Sequence, residues 1–328
     1  MDAKPPHLAT RLLSADANAI AEAGEVLRQG GLVAFPTETV YGLGANALDD
    51  FAVSRIFAAK GRPRFNPLIV HVLDHEEARE LVTFNPVALA LAEAFWPGGL
   101  TLVLPRRDPS GLALLLSAGL DTAALRAPAD LTARALLDAA GVPIAAPSAN
   151  RAGAVSPTTA QHVAEELGGR VELILDGGPC PIGLESTIVG FDHGYPVLLR
   201  PGAVAREAIE HLIGPLSEPD GERIKAPGMM ASHYAPHARL RLNATEVDAE
   251  EALLAFGSAV PKGACATYNL SPSGDLVEAA ANLFSMLRAL DKSGAPAIAV
   301  MAIPEQGLGE AINDRLVRAA APRGNLSP

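Results

Sequence analysis

The stretch AKGRPRFNPL, residues 59 to 68, sets Lys60 and Arg62 one residue apart, with Arg64 close behind, among Gly61, Pro63 and Pro67. Between residues 5 and 224 Lys60 is the only lysine. Such a pair raises the question of what anion, if any, it serves. In the last turn of a helix, however, the same pair only complements the helix dipole. Other polar residues stand where apolar runs end. FPTETVYGLGAN carries Thr37, Glu38 and Thr39, His71 interrupts the apolar PLIVHVL, PSAN offers Ser148 and Asn150, and SPT opens a helix at Ser156. Small hydroxyl and amide groups beside a helix N-terminus can hold a phosphate or a nucleobase edge, and the same residues also make good caps and turns.

Several chemistries are disfavoured by the motifs. The chain has no G-x-x-x-x-G-K-[ST] loop, no G-x-S-x-G elbow and no H-E-x-x-H. Gly42-x-Gly44-x-x-Ala47 fits a loose dinucleotide fingerprint, but Asp49 starts the next helix late, and Arg62 and Arg64 stand where an acid should bind ribose. His233-x-x-x-His237 has metal-like spacing. Pro236 interrupts any regular helical face there and no third ligand is near, so solvated or phosphate-facing histidines are the better reading.

The elements that must carry these residues alternate in type. DANAIAEAGEVLRQGG, capped by Asp16, DDFAVSRIFAAK, HEEARELV, PVALALAEAFW, DLTARALLDAAG, TTAQHVAEELGG and VAREAIEHLIG have helical spacing. GLVAFP, PLIVHVL, LTLVLP, DTAALRAP, PIAAPSAN, VELILDGG, STIVGF and PVLLRPG read as strands. Many strands run into Pro, Gly or Ser, which predicts a twisted, mixed sheet in an α/β domain over residues 1–214. A Pro-, Gly- and charge-rich linker follows over 215–237. In 238–328, RLRLNA, ACATYNL, DLVEAAANLFSMLRAL, PAIAVMAIP and GEAINDRLVRAA predict a small Rossmann-like parallel sheet of βαβα period.

At 328 residues, with 49% apolar side chains, the chain can build more than one core. Its 26 basic and 37 acidic residues give a net charge of −11, which disfavours a general nucleic-acid binder. The N-terminus lacks a cationic segment followed by an apolar core, and no later run reaches the roughly 18 apolar residues of a membrane helix, so a soluble cytoplasmic protein with no membrane partner is expected. Cys180 and Cys265, far apart, are expected to be reduced and buried.

In order, PTETVYGLGANA, KGRPRFNPLIVHV, WPGGLTLVL, GLDTAALRAP, GVPIAAPSAN, GRVELILDGG and GLESTIVG resemble the YrdC-type threonylcarbamoyl-AMP synthase family. APGMMASHYAPHARL and PEQGLGEAINDRLVRAA extend the resemblance to nearly the whole chain, in the family's two-domain form. The resemblance implies ATP-dependent synthesis of L-threonylcarbamoyladenylate from L-threonine and bicarbonate, with pyrophosphate released. A downstream transferase system would then modify the tRNA adenosine beside the anticodon, and strong direct nucleic-acid binding is not expected.

By that resemblance Lys60 and Arg62 are the Lys-x-Arg pair and Ser148 and Asn150 the Ser-x-Asn pair of the nucleotide site. Asn66, Thr122, Ser156 and Arg200 lie at matching positions for nucleotide contacts. Arg126 would pair with the threonine carboxylate, with Thr39, His71 and Ser186 around it. Mg2+ is expected with ATP, its protein ligands unknown and no metal site assigned. Within the linker, Met229, Met230, His233 and Tyr234 between Pro227 and Pro236 suggest a lid over the active site, with His233 and Tyr234 near the ATP phosphates, as against a passive tether. Two other readings stay open: a double-stranded RNA or tRNA-binding module, and a carbamoyl-transfer maturation domain of similar fold.

Overall fold

The computed structural model describes residues 8–219 and 233–322. The chain begins with β1 (Arg11–Ser14), α1 (Ala17–Arg28), β2 (Val33–Phe35), β3 (Gly42–Asn46), α2 (Asp50–Lys60) and β4 (Ile69–His71). There follow α3 (His75–Leu81), α4 (Pro86–Phe95), β5 (Leu100–Pro105), β6 (Thr122–Arg126), α5 (Leu131–Ala140) and β7 (Ile144–Ala145). The first part closes with α6 (Ala160–Leu167), β8 (Leu173–Asp176), β9 (Thr187–Asp192), β10 (Tyr195–Arg200) and α7 (Arg206–Ile213).

These ten strands form one sheet in the order β1-β8-β2-β3-β7-β4-β6-β5-β9-β10. It is mixed, as expected: β4 runs parallel to β6 but antiparallel to β7, and β5 runs antiparallel to β6 but parallel to β9. Helix starts are fixed locally. Asp16 accepts a hydrogen bond from the Ala19 amide at 2.9 Å, and Asp49 caps α2 through the Phe51 and Ala52 amides. The helix after SPT begins later than its hydroxyls suggest, at Ala160, because Thr159 supplies the cap.

The second part comprises β11 (Arg239–Arg241), β12 (Ala252–Ala255), β13 (Ala266–Asn269), α8 (Leu276–Asp291), β14 (Ala297–Val300) and α9 (Leu308–Ala320). Its sheet, β11-β14-β12-β13, is parallel throughout. The predicted βαβα period omits β12, whose ALLA run is buried at every position but too short to separate from a helical turn by periodicity. The two parts meet through charge: Arg288 on Glu166, Lys292 on Glu165, Arg206 on Glu310, and Arg315 on Glu185.

The GLGAN segment is a strand, so its glycines do not form a phosphate loop. A Cβ on Gly44 would lie 2.9 Å from both Ile144 Cγ2 and Phe35 Cε1, so glycine there permits close packing against β2 and β7. β1, at the sheet edge beside β8, is a four-residue run too short to mark a strand by periodicity. Cys180 is buried as expected, whereas Cys265 is exposed. No helix among the described residues is long and apolar enough to cross a membrane.

Candidate active site

A cleft opens where several strand ends converge. It is lined by residues from the β2–β3 turn (Thr37, Thr39), by Arg62, by His71 and Arg126 at the ends of β4 and β6, by Ser148, by Glu185 and Ser186, and by Arg200, His233 and Tyr234. Nine of the residues assigned to the site from the sequence therefore share one cavity: Thr39, Arg62, His71, Arg126, Ser148, Ser186, Arg200, His233 and Tyr234.

The neighbouring ends of β4 and β6 explain one group. Parallel pairing puts His71 opposite Arg126 in register. The Arg126 fork donates to Thr39 Oγ1 at 2.8 Å, to Glu38 Oε1 at 2.5 Å and to the Gly98 carbonyl at 3.1 Å. Glu38 accepts at its other oxygen from the Ala129 and Asp130 amides, 3.0 and 3.2 Å away. Burial opposes ionisation of Glu38, but Arg126 overcomes it and holds its pKa below the ordinary value. Burial, then the Arg126 charge, push His71 down to about 3, so the ring is neutral at physiological pH. Its Nδ1 is buried with no hydrogen-bond partner among the described residues.

The second group gathers at the end of α2. Gly61 takes the left-handed conformation (φ 63°) that ends the helix and turns the chain back, so that Arg62 is buried at the cleft while Lys60 is buried behind it. Arg62 donates to the Asn66 carbonyl at 3.2 Å and the Pro67 carbonyl at 2.8 Å. Lys60 Nζ donates to the carbonyls of Ser148, at 2.6 Å, and Asn150. Ser148 Oγ in turn donates to Asn150 Oδ1 at 2.5 Å, so the Lys-x-Arg and Ser-x-Asn motifs form one unit. Arg200 donates to the Ser186 carbonyl at 2.7 Å and its hydroxyl at 3.2 Å.

These cations are crowded. Burial lowers Arg62 to about 10 and, with Arg62 nearby, lowers Lys60 well below its usual value. Burial, then Arg62, Lys60 and Arg200, hold His233 neutral. Among the described lining residues, Arg62, Arg126 and Arg200 face one carboxylate, Glu185. Within a chain of net charge −11, the cleft is a local concentration of desolvated positive charge, suited to anions.

Lys60, Asn66, Asn150 and Ser156 stand just behind the wall: Lys60 and Asn150 join the Ser148 loop, Asn66 supports Arg62, and Ser156 donates to Glu185. Thr122 lies farthest off, at the other end of β6, four residues or about 13 Å along an extended strand from Arg126. Sequence reasoning noticed Thr37 and Glu38 without placing them in the site, and missed Glu185. Of the His233/His237 pair only His233 faces the cleft; the exposed His237 pairs with Asp291 at 2.8 Å. Met229, Met230 and Pro227 lie outside the described residues.

A twisted mixed sheet with a cationic cleft at its strand ends, followed by a small parallel α/β unit, defines a YrdC-like two-part enzyme. The family model described as telomere recombination, covering Sua5, YciO and YrdC, matches residues 25–202. The model for the threonylcarbamoyl-AMP synthase C-terminal domain matches residues 204–321. A threonylcarbamoyl-AMP synthase of Pyrococcus abyssi is 44% identical over 316 residues, 90% of this chain and 92% of that protein. One of Bacillus subtilis is 41% identical over 331 residues, 95% of each. The crystal structure of P. abyssi Sua5 complexed with L-threonine superposes with a TM-score of 0.86 at 40% identity, covering 95% of this chain and 97% of that one. The chain belongs to the threonylcarbamoyl-AMP synthase family, ATP-dependent nucleotidyltransferase-type enzymes whose product serves tRNA modification.

Proposed function

We propose that this cleft joins L-threonine, bicarbonate and ATP into L-threonylcarbamoyladenylate and releases pyrophosphate. The observation that carries the reading is the meeting of two cationic groups in one cavity, Arg126 with Thr39 and His71 on one side, Arg62 with Arg200 and Ser148 on the other. Arg126 takes the threonine carboxylate and the neutral His71 offers the amine an uncharged partner, with Ser186 at the boundary. Arg62, Arg200, Lys60 and the Ser148–Asn150 loop hold the nucleotide. Asn66 and Ser156 act through Arg62 and Glu185, and Thr122 is the weakest of the nucleotide assignments.

Threonine's amine captures bicarbonate as a carbamate with loss of water, and a carbamate oxygen attacks the α-phosphorus in line as pyrophosphate leaves. Two anions must meet, so catalysis consists of positioning and charge shielding more than of a side-chain nucleophile. Mg2+ bound with ATP would supply charge shielding at the phosphates, beside Arg62 and Arg200. Among the described residues no group of three or more His, Cys, Asp or Glu is gathered for a metal, and no protein ligand is assigned to the ion.

The division into 1–214, 215–237 and 238–328 is retained as part of this reading, with His233 and Tyr234 closing the cleft at the described end of the linker. The Ala235 amide bonds to the Gly153 carbonyl at 2.9 Å, and His233 N to the Arg318 carbonyl at 3.2 Å, so this end is held by both parts of the chain. Closure there would keep water from the mixed anhydride. The adenylate then passes to a separate transferase acting on tRNA in the cytoplasm. Pyrophosphate release, measured with threonine and bicarbonate omitted in turn, is expected to need both. Lys60→Ala and Arg62→Ala should each cost roughly 1.5 to 3 kcal/mol of transition-state stabilisation. Release that ignores threonine would overturn the assignment.

A further inference from the structure

The last helix of the second part reaches the wall of the first part's cleft. Arg315, in α9, is fully buried. Its Nε donates to Glu185 Oε2 at 2.8 Å and its Nη1 to Asp314 Oδ2 at 2.6 Å. Its guanidinium carbon lies 5.2 Å from the centre of the Tyr234 ring, which stacks on Phe284 of α8 at 5.6 Å. Glu185 and Tyr234 line the cleft, and Arg315 stands behind them.

Glu185 is the sole carboxylate among the described lining residues, in a cavity that Arg62 and Arg200 also line. Left uncompensated in a site of reduced dielectric, it would repel a polyphosphate. We infer that Arg315 is a positioning residue for nucleotide binding: by pairing with Glu185 and bracing Tyr234 it stops the cleft's carboxylate from opposing the ATP phosphates. The second part of the chain thereby completes the first part's site. This inference rests on the assignment of ATP to the cleft.

The groups facing Glu185 are Arg315 from α9, Arg200 from β10 and the Ser156 hydroxyl, with Tyr234, His233 and Asp314 around them. Burial opposes ionisation of Glu185; Arg315 first and Arg200 second overcome it. Without Arg315 the carboxyl pKa must rise, and ATP binding should improve as pH falls and the group takes up a proton. A purely structural arginine gives no such pH dependence.

The test is steady-state kinetics on the full chain at pH 6.5 and 8.0 for wild type, Arg315→Met, Arg315→Lys and the Glu185→Gln/Arg315→Met double variant. Arg315→Met should raise the ATP KM roughly tenfold or more at pH 8.0, and less at pH 6.5, with the threonine KM moving less. The double variant, with no lining carboxylate left and Asp314 still held by Arg318 Nε at 2.9 Å, should recover most of the loss, and Arg315→Lys part of it. If Arg315→Met does not fold, the lysine and double variants carry the comparison. A wild-type ATP KM in Arg315→Met, or equal impairment of the folded single and double variants at both pH values, overturns the inference. An ATP KM unmoved in Lys60→Ala would instead break the ATP assignment itself, whatever Arg315 does.

Discussion

At the scale of single residues, Arg126 shows how a binding group is held ready. Its three hydrogen-bonded neighbours, Glu38, Thr39 and the Gly98 carbonyl, fix the guanidinium plane before any ligand arrives. A lysine could keep the charge but not the fork. Arg126→Lys should therefore raise the threonine KM by about tenfold or more, the worth of one charge-assisted contact, while the ATP KM changes much less. Equal losses for the two substrates would mark Arg126 as a structural arginine. Glu38→Gln should follow the same split in milder form, since it loosens the fork but leaves the cation in place.

At the scale of elements, the turn after β10 shows how close backbones set the site. Gly202 packs against the segment that carries Glu185 and Ser186: an added Cβ would lie 2.4 Å from the Glu185 carbonyl oxygen and 2.5 Å from Ser186 C and Thr187 N. Those atoms are backbone, so no rotamer change relieves the clash. Gly202→Ala should cost about 1 to 3 kcal/mol in stability, as overpacking generally does, and should lower activity by displacing Glu185 and Ser186. Thermal melts and pyrophosphate release read the two effects, and a variant with wild-type values for both would show that the turn yields freely.

At the scale of the whole molecule, burial makes stability depend on pH. His71 has its pKa lowered to about 3 in the folded state, against an ordinary value of 6.5. The unfolded chain thus binds the extra proton first, and the stability this neutral ring contributes is complete above pH 6.5 and drains away as pH falls toward 3. Between pH 7.5 and 5.0 His71 alone should cost the fold about 2 kcal/mol. His162, lowered to about 4 by burial and then by Arg288 across the seam, acts in the same direction. Urea unfolding at the two pH values should show the midpoint falling on acidification, and His71→Asn should flatten the slope. A level midpoint would mean that the ring titrates normally.

By itself the sequence determined the family, the mixed sheet followed by a parallel one, and most of the cleft's residues, because these reside in local order. Gly61 after Lys60, Asp16 and Asp49 at helix starts, and the Ser-x-Asn pair at the end of an apolar run act over a few residues and are readable as such. Tertiary structure alone decided which carboxylates answer the arginines. Glu38 meets Arg126 from 88 positions away and Glu185 meets Arg315 from 130, and nothing in either sequence neighbourhood announces the partner. It also decided that GLGAN is a strand, that ALLA is a central one, that Thr122 stands a strand's length from Arg126, and that His233 faces the cleft while His237 meets solvent. The physical reason is common to all of these: burial and charge pairing depend on which surfaces close over one another, and that is settled by long-range packing, whereas turns, caps and periodicity are settled within a few residues of chain.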